Sequence, residues 1–314
     1  MFPAHKKILS ACFLLLLALT LFAADKALIW EATRKGDPGK LYLVGSVHLG
    51  KADWFPLDSV YDRVLNESQN MYFEVFNPDH RQLAVYISSK GMYPPDKNLS
   101  DEIGKTNFSE LVRFFGANRS NVPPFMLEKM RPWLVSIEVA GIYIRKEKNL
   151  KSYYGLEKVF SAHKGKRQAG SLESLESQID AMSAIPDDRM TASILKSIRS
   201  EEKAKKELSA TLAAIDSGDI GSLDARCREI ASEDPMIYQK LFAERNSAIA
   251  KKLLSLLKEK KVSFILVGAG HFAGPDNIRD LLLKAGCRVV QLDKTGRKGK
   301  ITAGRNTSNP QVLK

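Results

Sequence analysis

The sequence predicts an α/β protein with a central mixed β-sheet flanked by helices and a helix-rich middle region. Two short apolar runs that end in glycine, at residues 41–44 and 264–267, are typical of buried strands and lie near opposite ends of the chain. Strand–helix–strand patterns at both ends imply one sheet covered by helices. Between them, residues 187–260 have helical periodicity and interspersed charges, which indicates a helical insert.

The N-terminal part of this pattern predicts a β-hairpin. Residues 27–34 and 41–48 have the composition of strands, and a Gly/Pro-rich turn at residues 35–39 separates them. Apolar residues at helical spacing then predict a helix over 57–68, and residues 70–76 form an apolar strand pattern that contains Glu74.

The middle of the chain alternates helical patterns with proline breaks. Helices are expected over 79–91, 100–116, 130–144, 154–165 and 174–183, and a strand over 166–173. In the third of these helices, one stripe is interpreted as core: Trp133, Ile137, Ala140, Gly141 and Ile144.

The C-terminal part returns to the strand–helix–strand pattern. A helix over 235–260 leads into the strand that contains residues 264–267. A further helix follows at 274–285 and ends at Gly286, and residues 287–292 form the last predicted strand.

The two glycine-ended runs share the phrase Leu-Val-Gly-x-x-His, which places His48 and His271 in matching positions. A lone histidine after a strand is most often structural, but the chain has only five histidines, so a matching pair is a stronger signal. Open α/β sheets bind ligands beyond the carboxyl ends of their strands. The pair therefore predicts one site built from both ends of the chain.

Two carboxylates stand at similar positions. Glu74 lies in an apolar strand pattern, where an unpaired buried charge is costly, so it is either a buried ion-pair partner, an edge residue facing solvent, a metal ligand or a general base. Glu173 ends the strand predicted at 166–173; it is either a first-turn acid of the next helix or a second functional carboxylate.

Several local motifs together resemble the TraB/PrgY/GumN family, which is related to the TIKI metalloproteases. They are the two Gly-x-x-His phrases, Glu74, and three further elements: Tyr-Gly-Leu-Glu at 154–157, Gly-x-Leu-Glu-Ser with a later Gln at 170–178, and Arg245 followed by Asn246. The resemblance covers nearly the whole chain except its C-terminal tail. One departure is Glu157, where an Asp is expected in most members.

The resemblance implies an erythromycin-esterase-like and ChaN-like fold, and a metal-dependent peptidase whose site contains the two histidines and the glutamate. Two neutral imidazoles and a carboxylate suit a divalent Zn, Mn or Co ion with an open position. His48, His271 and Glu74 are thus the expected metal ligands. Glu74 is alternatively the general base, with Glu173 as a second candidate and Arg245 to bind a peptide carboxylate or oxyanion.

The main alternative is a non-catalytic periplasmic or envelope protein that binds a peptide signal or a haem-like ligand, because histidines also serve haem iron. An envelope accessory protein with a decayed site is a third possibility. The sequence contains no Walker A, Rossmann, HExxH or GxSxG motif.

The N-terminus predicts export. Residues 1–24 combine Lys6 and Lys7 with an apolar stretch and small residues, which is typical of a signal peptide, or of a membrane anchor if it is not cleaved. The expected product is periplasmic or secreted, with a single domain over 25–293. Cys227 and Cys287 then remain, and their spacing does not show whether they pair.

The formal net charge of +12 is spread through the chain, with one concentration in the tail at 294–314, which carries six Lys/Arg and no acidic residue. This composition predicts a solvated, disordered tail that can touch an anionic membrane surface. No aromatic residues are interleaved with these charges, so a dedicated nucleic-acid surface is not expected.

Overall fold

The computed structural model describes residues 26–294, and these contain one six-stranded mixed sheet in the order β4-β3-β5-β2-β1-β6. The strands are β1 Lys26–Arg34, β2 Lys40–Ser46, β3 Asn70–Phe73, β4 Gln168–Ser171, β5 Val262–Gly268 and β6 Cys287–Asp293. The predicted α/β class with a central mixed sheet is confirmed.

Two directions of strand coexist in the sheet. β1 runs antiparallel to β2, which confirms the predicted hairpin, and also antiparallel to β6 on its other side. β2, β5, β3 and β4 are mutually parallel. Their carboxyl ends therefore lie along one edge of the sheet, and β5 is the strand that joins the β3–β4 pair to the β1–β2 hairpin.

Helices fill the connections between the strands. Their bounds are α1 Ser59–Glu67, α2 His80–Gly91, α3 Leu99–Ile103, α4 Lys105–Ala117, α5 Pro124–Leu127, α6 Pro132–Lys146, α7 Leu156–Ala162, α8 Leu175–Ser183, α9 Asp187–Arg199, α10 Glu201–Ser217, α11 Ile220–Glu233, α12 Pro235–Tyr238, α13 Glu244–Leu257 and α14 Ile278–Lys284. A π-helical segment, Gln239–Ala243, joins α12 to α13. Short 3-10 turns lie at Ala52–Trp54, Ser152–Tyr154 and Ala269–Phe272.

Both faces of the sheet are buried, which explains why its central strands are almost continuously apolar. Along β2, Leu41 and Leu43 pack towards α13 and α14, whereas Tyr42 and Val44 pack towards α1 and α7. This alternation is the two-residue period of a strand with apolar partners on each side.

A third apolar cluster lies within the helices and draws on two chain segments. Helices α2 to α6, from the β3–β4 connection, pack with α8 and α9, from the β4–β5 connection. Residues 187–257 are almost entirely helical, as predicted, but helices before β4 share their core. The division into one domain over 25–293 with an insert at 187–260 stays a prediction.

One predicted helix face is wrong. In α6, Trp133 is buried as expected, but Ile137 is 42% exposed and Ala140 is also exposed. The buried face instead includes Val135, Val139 and Ile142, because α6 packs against α9 on that side. Apolar residues surround most of this helix, so the sequence pattern does not select one face.

Three expectations concern the ends of the chain and the thiols. The predicted signal peptide and all but the first residue of the basic tail lie outside the described residues. Between residues 26 and 294, none of the helices has the length and apolar character needed to cross a membrane. Cys227 and Cys287 are both free and buried, and burial raises the pKa of Cys227 to about 11.

Candidate active site

The carboxyl edge of the parallel strands brings together the predicted functional residues in strand order. Glu173 follows β4, Glu74 follows β3, His271 follows β5 and His48 follows β2. β3 ends at Phe73, so Glu74 is the first residue beyond the strand and not inside it. The ladder continues briefly, because the Glu74 amide donates to the Leu266 carbonyl at 2.9 Å and the Glu173 amide to the Glu74 carbonyl at 3.0 Å.

Arg245 joins the two carboxylates. Its Nη2 lies 2.5 Å from Oε1 of Glu74 and 2.5 Å from Oε1 of Glu173, and its Nε donates to Oε2 of Glu173 at 3.1 Å. The three side chains are only 16%, 14% and 8% exposed for Arg245, Glu74 and Glu173, respectively. One guanidinium thus supports two buried negative charges, a set that is strongly destabilised when one partner is removed.

Two neutral donors complete this cluster, and sequence reasoning assigned no role to either. Gln178, on α8, donates to Oε1 of Glu74 at 2.7 Å and to Oε1 of Glu173 at 3.2 Å. The amide of Gly268 donates to Oε2 of Glu74 at 3.0 Å. Gln178 belongs to the motif at 170–178, so the sequence could have indicated it. The Gly268 donor is a backbone amide, which the identity of the residue does not reveal.

His271 is buried beside Glu74 in a fixed orientation. Its Nδ1 lies 2.6 Å from Oδ1 of Asn246, whose Nδ2 donates to the carbonyl of Asp276 at 3.0 Å. With its amide nitrogen used in this way, Asn246 accepts through Oδ1, so the proton of His271 is assigned to Nδ1. Nε2 then carries no proton and has a free lone pair, and it lies 3.9 Å from Oε1 of Glu74.

Burial and charge set the ionisation of this pair. Burial lowers the pKa of His271 to about 4, so its imidazole is neutral at pH 7. Burial alone opposes the charge on Glu74, but His271, Arg245 and the Gly268 amide outweigh it and hold the Glu74 pKa below its ordinary value. Burial also opposes the charge on Arg245, yet its bonds to Glu173 and Glu74 leave the Arg245 pKa raised. A neutral imidazole next to a carboxylate is the combination that a divalent cation prefers.

The helix that carries Arg245 and Asn246 begins after the π-helical segment. Arg245 turns to the carboxylates and also donates from Nη1 to the carbonyl of Leu241 at 3.0 Å, whereas Asn246 turns to His271. Phe242 lies against the His271 ring, with 5.4 Å between the ring centroids. The Arg-Asn pair of the sequence therefore serves both halves of the buried cluster, and Asn246 is a site residue that the sequence analysis left without a role.

His48 lies apart from this cluster. Its side chain is 82% exposed, and its Nδ1 is 3.4 Å from Oε1 of Glu157. Within residues 26–294, no three or more His, Cys, Asp or Glu side chains are grouped as ligands for one metal ion. The fit to a divalent ion is therefore partial. Nε2 of His271 and Oε1 of Glu74 face each other as two possible ligand atoms, whereas His48, the third predicted ligand, faces solvent.

Two clefts open beside Glu173, one on each side of α8. The first has a volume of about 390 Å³ and lies between α8 and α2, with apolar walls that include Phe76, Leu83 and Ile179. The second has a volume of about 600 Å³ and is bordered by Arg245 and Lys240. Both clefts reach Glu173, so this carboxylate is adjacent to spaces of the size that small ligands occupy in proteins.

Comparison with known proteins agrees with the motifs. The family model described as "TraB/PrgY/gumN family" matches residues 28–291. An uncharacterised protein of Treponema pallidum (strain Nichols) is 19% identical over 84% of this chain and 82% of its own length. Metalloprotease TIKI2 of Xenopus tropicalis is 22% identical over 86% of this chain, and Metalloprotease TIKI1 of Homo sapiens is 22% identical over 82% of it.

These alignments span 60% of the length of each of the two TIKI proteins, so the chain resembles a part of them. No solved structure matches the chain. The family model covers most of the chain and contains every strand from β2 to β5 together with all of the site residues described above. The chain therefore belongs to the TraB/PrgY/gumN family, as its ordered motifs predict.

Proposed function

We propose that this protein is an exported metal-dependent hydrolase that cleaves peptides. One observation carries the proposal: the buried His271 imidazole, fixed through Nδ1 by Asn246, directs its free Nε2 towards a carboxylate oxygen of Glu74. Metal-ligating histidines in proteins are commonly fixed through their other ring nitrogen in this way. The relatives named metalloproteases support the same reaction class.

In this proposal, His271, Glu74 and His48 hold the divalent ion, whose identity among Zn, Mn and Co is open. When bound, such an ion polarises the scissile carbonyl and favours ionisation of water. Glu173 shares Arg245 with Glu74 and serves as the general base and then the general acid. It accepts a proton from the attacking water and returns it to the amine of the leaving fragment as the C–N bond breaks.

Arg245 has two roles in the proposed reaction. It pairs with both Glu74 and Glu173, and its guanidinium can stabilise negative charge on the carbonyl oxygen of a substrate bound beside them. The peptide substrate lies in the clefts beside α8. The apolar walls of the cleft between α2 and α8 suit a hydrophobic side chain.

The predicted signal peptide supports export to the periplasm or the exterior, or a membrane-anchored form if the peptide is kept. The basic tail supports contact with an anionic membrane surface. Both proposals rest on sequence composition.

A second candidate is a non-catalytic binding protein for a peptide signal or a haem-like ligand. The pairing of both carboxylates with Arg245 favours it, because each carboxylate already has a cationic partner without a metal ion. A haem-like ligand would give a strong visible absorbance on reconstitution.

The test is metal binding by the purified chain, measured by elemental analysis and calorimetry with Zn²⁺, Mn²⁺ and Co²⁺, beside cleavage of a peptide library. The wild type should bind one equivalent and cleave peptides, and His271→Ala should lose both while remaining folded. His163→Ala is the matched control, since this histidine lies at the end of α7, where its Nδ1 contacts the Val159 carbonyl of the same helix. Metal-independent cleavage, or equal binding in His271→Ala, would contradict the proposal.

A further inference from the structure

The Tyr-Gly-Leu-Glu motif at 154–157 has no part in the reaction proposed above, yet it lies directly against the loop that carries His48. Gly50 and Lys151 exchange backbone hydrogen bonds of 3.1 and 3.0 Å. The amide of Leu156 donates to the carbonyl of Val47 at 3.1 Å. The motif and the loop after β2 are thus joined through their backbones on both sides of His48.

Two glycines allow this close approach. A Cβ atom added to Gly155 would lie 2.1 Å from the carbonyl oxygen of His48, and one added to Gly50 would lie 2.1 Å from that of Tyr154. Neither distance is compatible with a side chain, because the neighbouring atoms belong to the backbone. The close contact fixes the start of α7, and therefore Glu157, relative to the backbone of His48.

The Glu157 carboxylate is short of hydrogen-bond donors. Its Oε1 accepts from the hydroxyl of Ser46 at 2.5 Å and lies 3.4 Å from Nδ1 of His48. Its Oε2 is buried and has no hydrogen-bond partner within the part of the chain that the structure describes. A buried carboxylate oxygen without a donor is costly. The carboxylate as a whole thus has fewer donors than it can accept from, and Oε1 is the oxygen that His48 approaches.

His48 is the side chain that can supply that donor. Its ring is 82% exposed, so surrounding side chains do not fix its rotamer as burial fixes that of His271. A small rotation of the ring would shorten the 3.4 Å separation to a normal hydrogen bond from Nδ1–H. When the proton of the neutral ring is on Nδ1, Nε2 keeps a free lone pair that can bind a ligand such as a metal ion, as in His271.

We infer that Glu157 is a positioning residue that holds the His48 imidazole in its Nδ1–H tautomer and directs Nε2 away from α7, towards a ligand. This inference rests on the proposed function for the role of His48, but the contact itself does not depend on a metal ion. It also explains the motif. Gly155 permits the close approach of the two backbones, and this approach places the carboxylate of Glu157 beside the His48 ring. The equivalent partner of His271 is Asn246, so each histidine has its own acceptor.

The experiment uses the full chain with ¹⁵N-labelled histidine, and compares wild type with Glu157→Leu, Glu157→Asp and Glu102→Leu. The last is the matched control, a first-turn acid of α3 that pairs with Lys97. NMR of the ring nitrogens reports the tautomer of His48 in metal-free protein, and calorimetry reports Zn²⁺ affinity.

In wild type and Glu102→Leu, the Nδ1–H tautomer of His48 should predominate. Glu157→Leu should lose that preference and bind Zn²⁺ roughly 10 to 100-fold more weakly, the usual effect of removing the partner of a ligating histidine. Glu157→Asp should keep the tautomer because it keeps the carboxylate. The dispersion of the amide spectrum shows whether each variant is folded.

Two outcomes separate this inference from the proposed function. If Glu157→Leu is folded and the tautomer of His48 is unchanged, the inference is overturned, whatever the metal affinity. If wild type binds no Zn²⁺ but Glu157→Leu changes the tautomer, the positioning role stands and the metal-dependent hydrolase is the proposal that fails.

Discussion

The two halves of the carboxyl edge of the sheet are built in opposite ways. On the β3–β5 side, Glu173 and His271 are buried, Glu74 and Arg245 are largely buried, and all four are bonded to one another or to neighbouring groups. On the β2 side, His48 is exposed and approaches a single carboxylate, that of Glu157. The same Gly-x-x-His phrase therefore leads to a fixed histidine at one position and an adjustable one at the other.

This difference separates stability from ligand binding. A buried, fully bonded cluster contributes to folding whether or not a ligand is present, so changes in it alter both properties. An exposed histidine with one contact contributes little to folding, so its replacement should alter ligand binding alone. Four variants or conditions test this contrast, in decreasing order of their expected effect on stability.

The largest effect is expected for Arg245→Met, which leaves Glu74 and Glu173 buried without their shared cation. We expect a loss of roughly 3–5 kcal/mol in the free energy of unfolding, measured by urea denaturation at pH 7. Arg199→Met is the control, because Arg199 pairs with Glu110 at the surface and should give a much smaller change. Equal losses in the two variants would show that the buried cluster is not a stability element.

The second effect is a dependence on pH that comes from His271. Its pKa is about 4 in the folded chain, against 6.5 for an ordinary histidine, so the unfolded chain binds the extra proton between these values. Stability is therefore retained above about pH 6.5 and is lost as the pH falls towards 4, by roughly 3 kcal/mol. Urea denaturation at several pH values across this window gives the free energy of unfolding as a function of pH. This free energy should fall more steeply with decreasing pH for wild type than for His271→Gln, and identical slopes would rule out a buried neutral imidazole.

A smaller effect is expected for Asn246→Leu, which removes the acceptor for Nδ1–H of His271 and the donor to the Asp276 carbonyl. Leaving a buried donor unpaired costs roughly 1–3 kcal/mol. Thermal denaturation measures the loss, and Asn246→Asp, which keeps an acceptor, should recover part of it. A variant as stable as wild type would show that the His271 orientation has another cause.

The smallest effect is expected for His48→Ala. Because the ring is exposed, the free energy of unfolding should change by no more than about 0.5 kcal/mol. Metal binding and peptide cleavage should nevertheless be lost, as in His271→Ala. A large loss of stability in His48→Ala would mean that the two halves of the edge are not as different as their burial indicates.

The sequence predicted the parts of this site that follow from local pattern. Strand composition located β2 and β5, and the histidines placed after them lie at the predicted edge of the sheet. For Glu74, the sequence left several possibilities open, and the ion pair that forms with Arg245 is one of them.

The remaining features depend on contacts between distant segments, which local pattern does not record. Glu157 meets Ser46 across 111 positions of sequence, and Gln178 meets Glu74 across 104. The face of α6 was assigned wrongly for a related reason: its neighbours, and not its own periodicity, decide which side is buried. Side-chain orientation, as for His271 beside Asn246, is likewise set by contacts between separate segments.

The position of β5 has a consequence for how the chain reaches this structure. β5 pairs with β2 on one side and β3 on the other, although it is the fifth strand in sequence. Until residues 262–268 are available, the β1–β2 hairpin and the β3–β4 pair have no strand between them. Sheet formation thus waits for contacts of long sequence separation, which slows folding. During synthesis, most of this chain would leave the ribosome before its sheet, and with it the row of candidate site residues, could assemble.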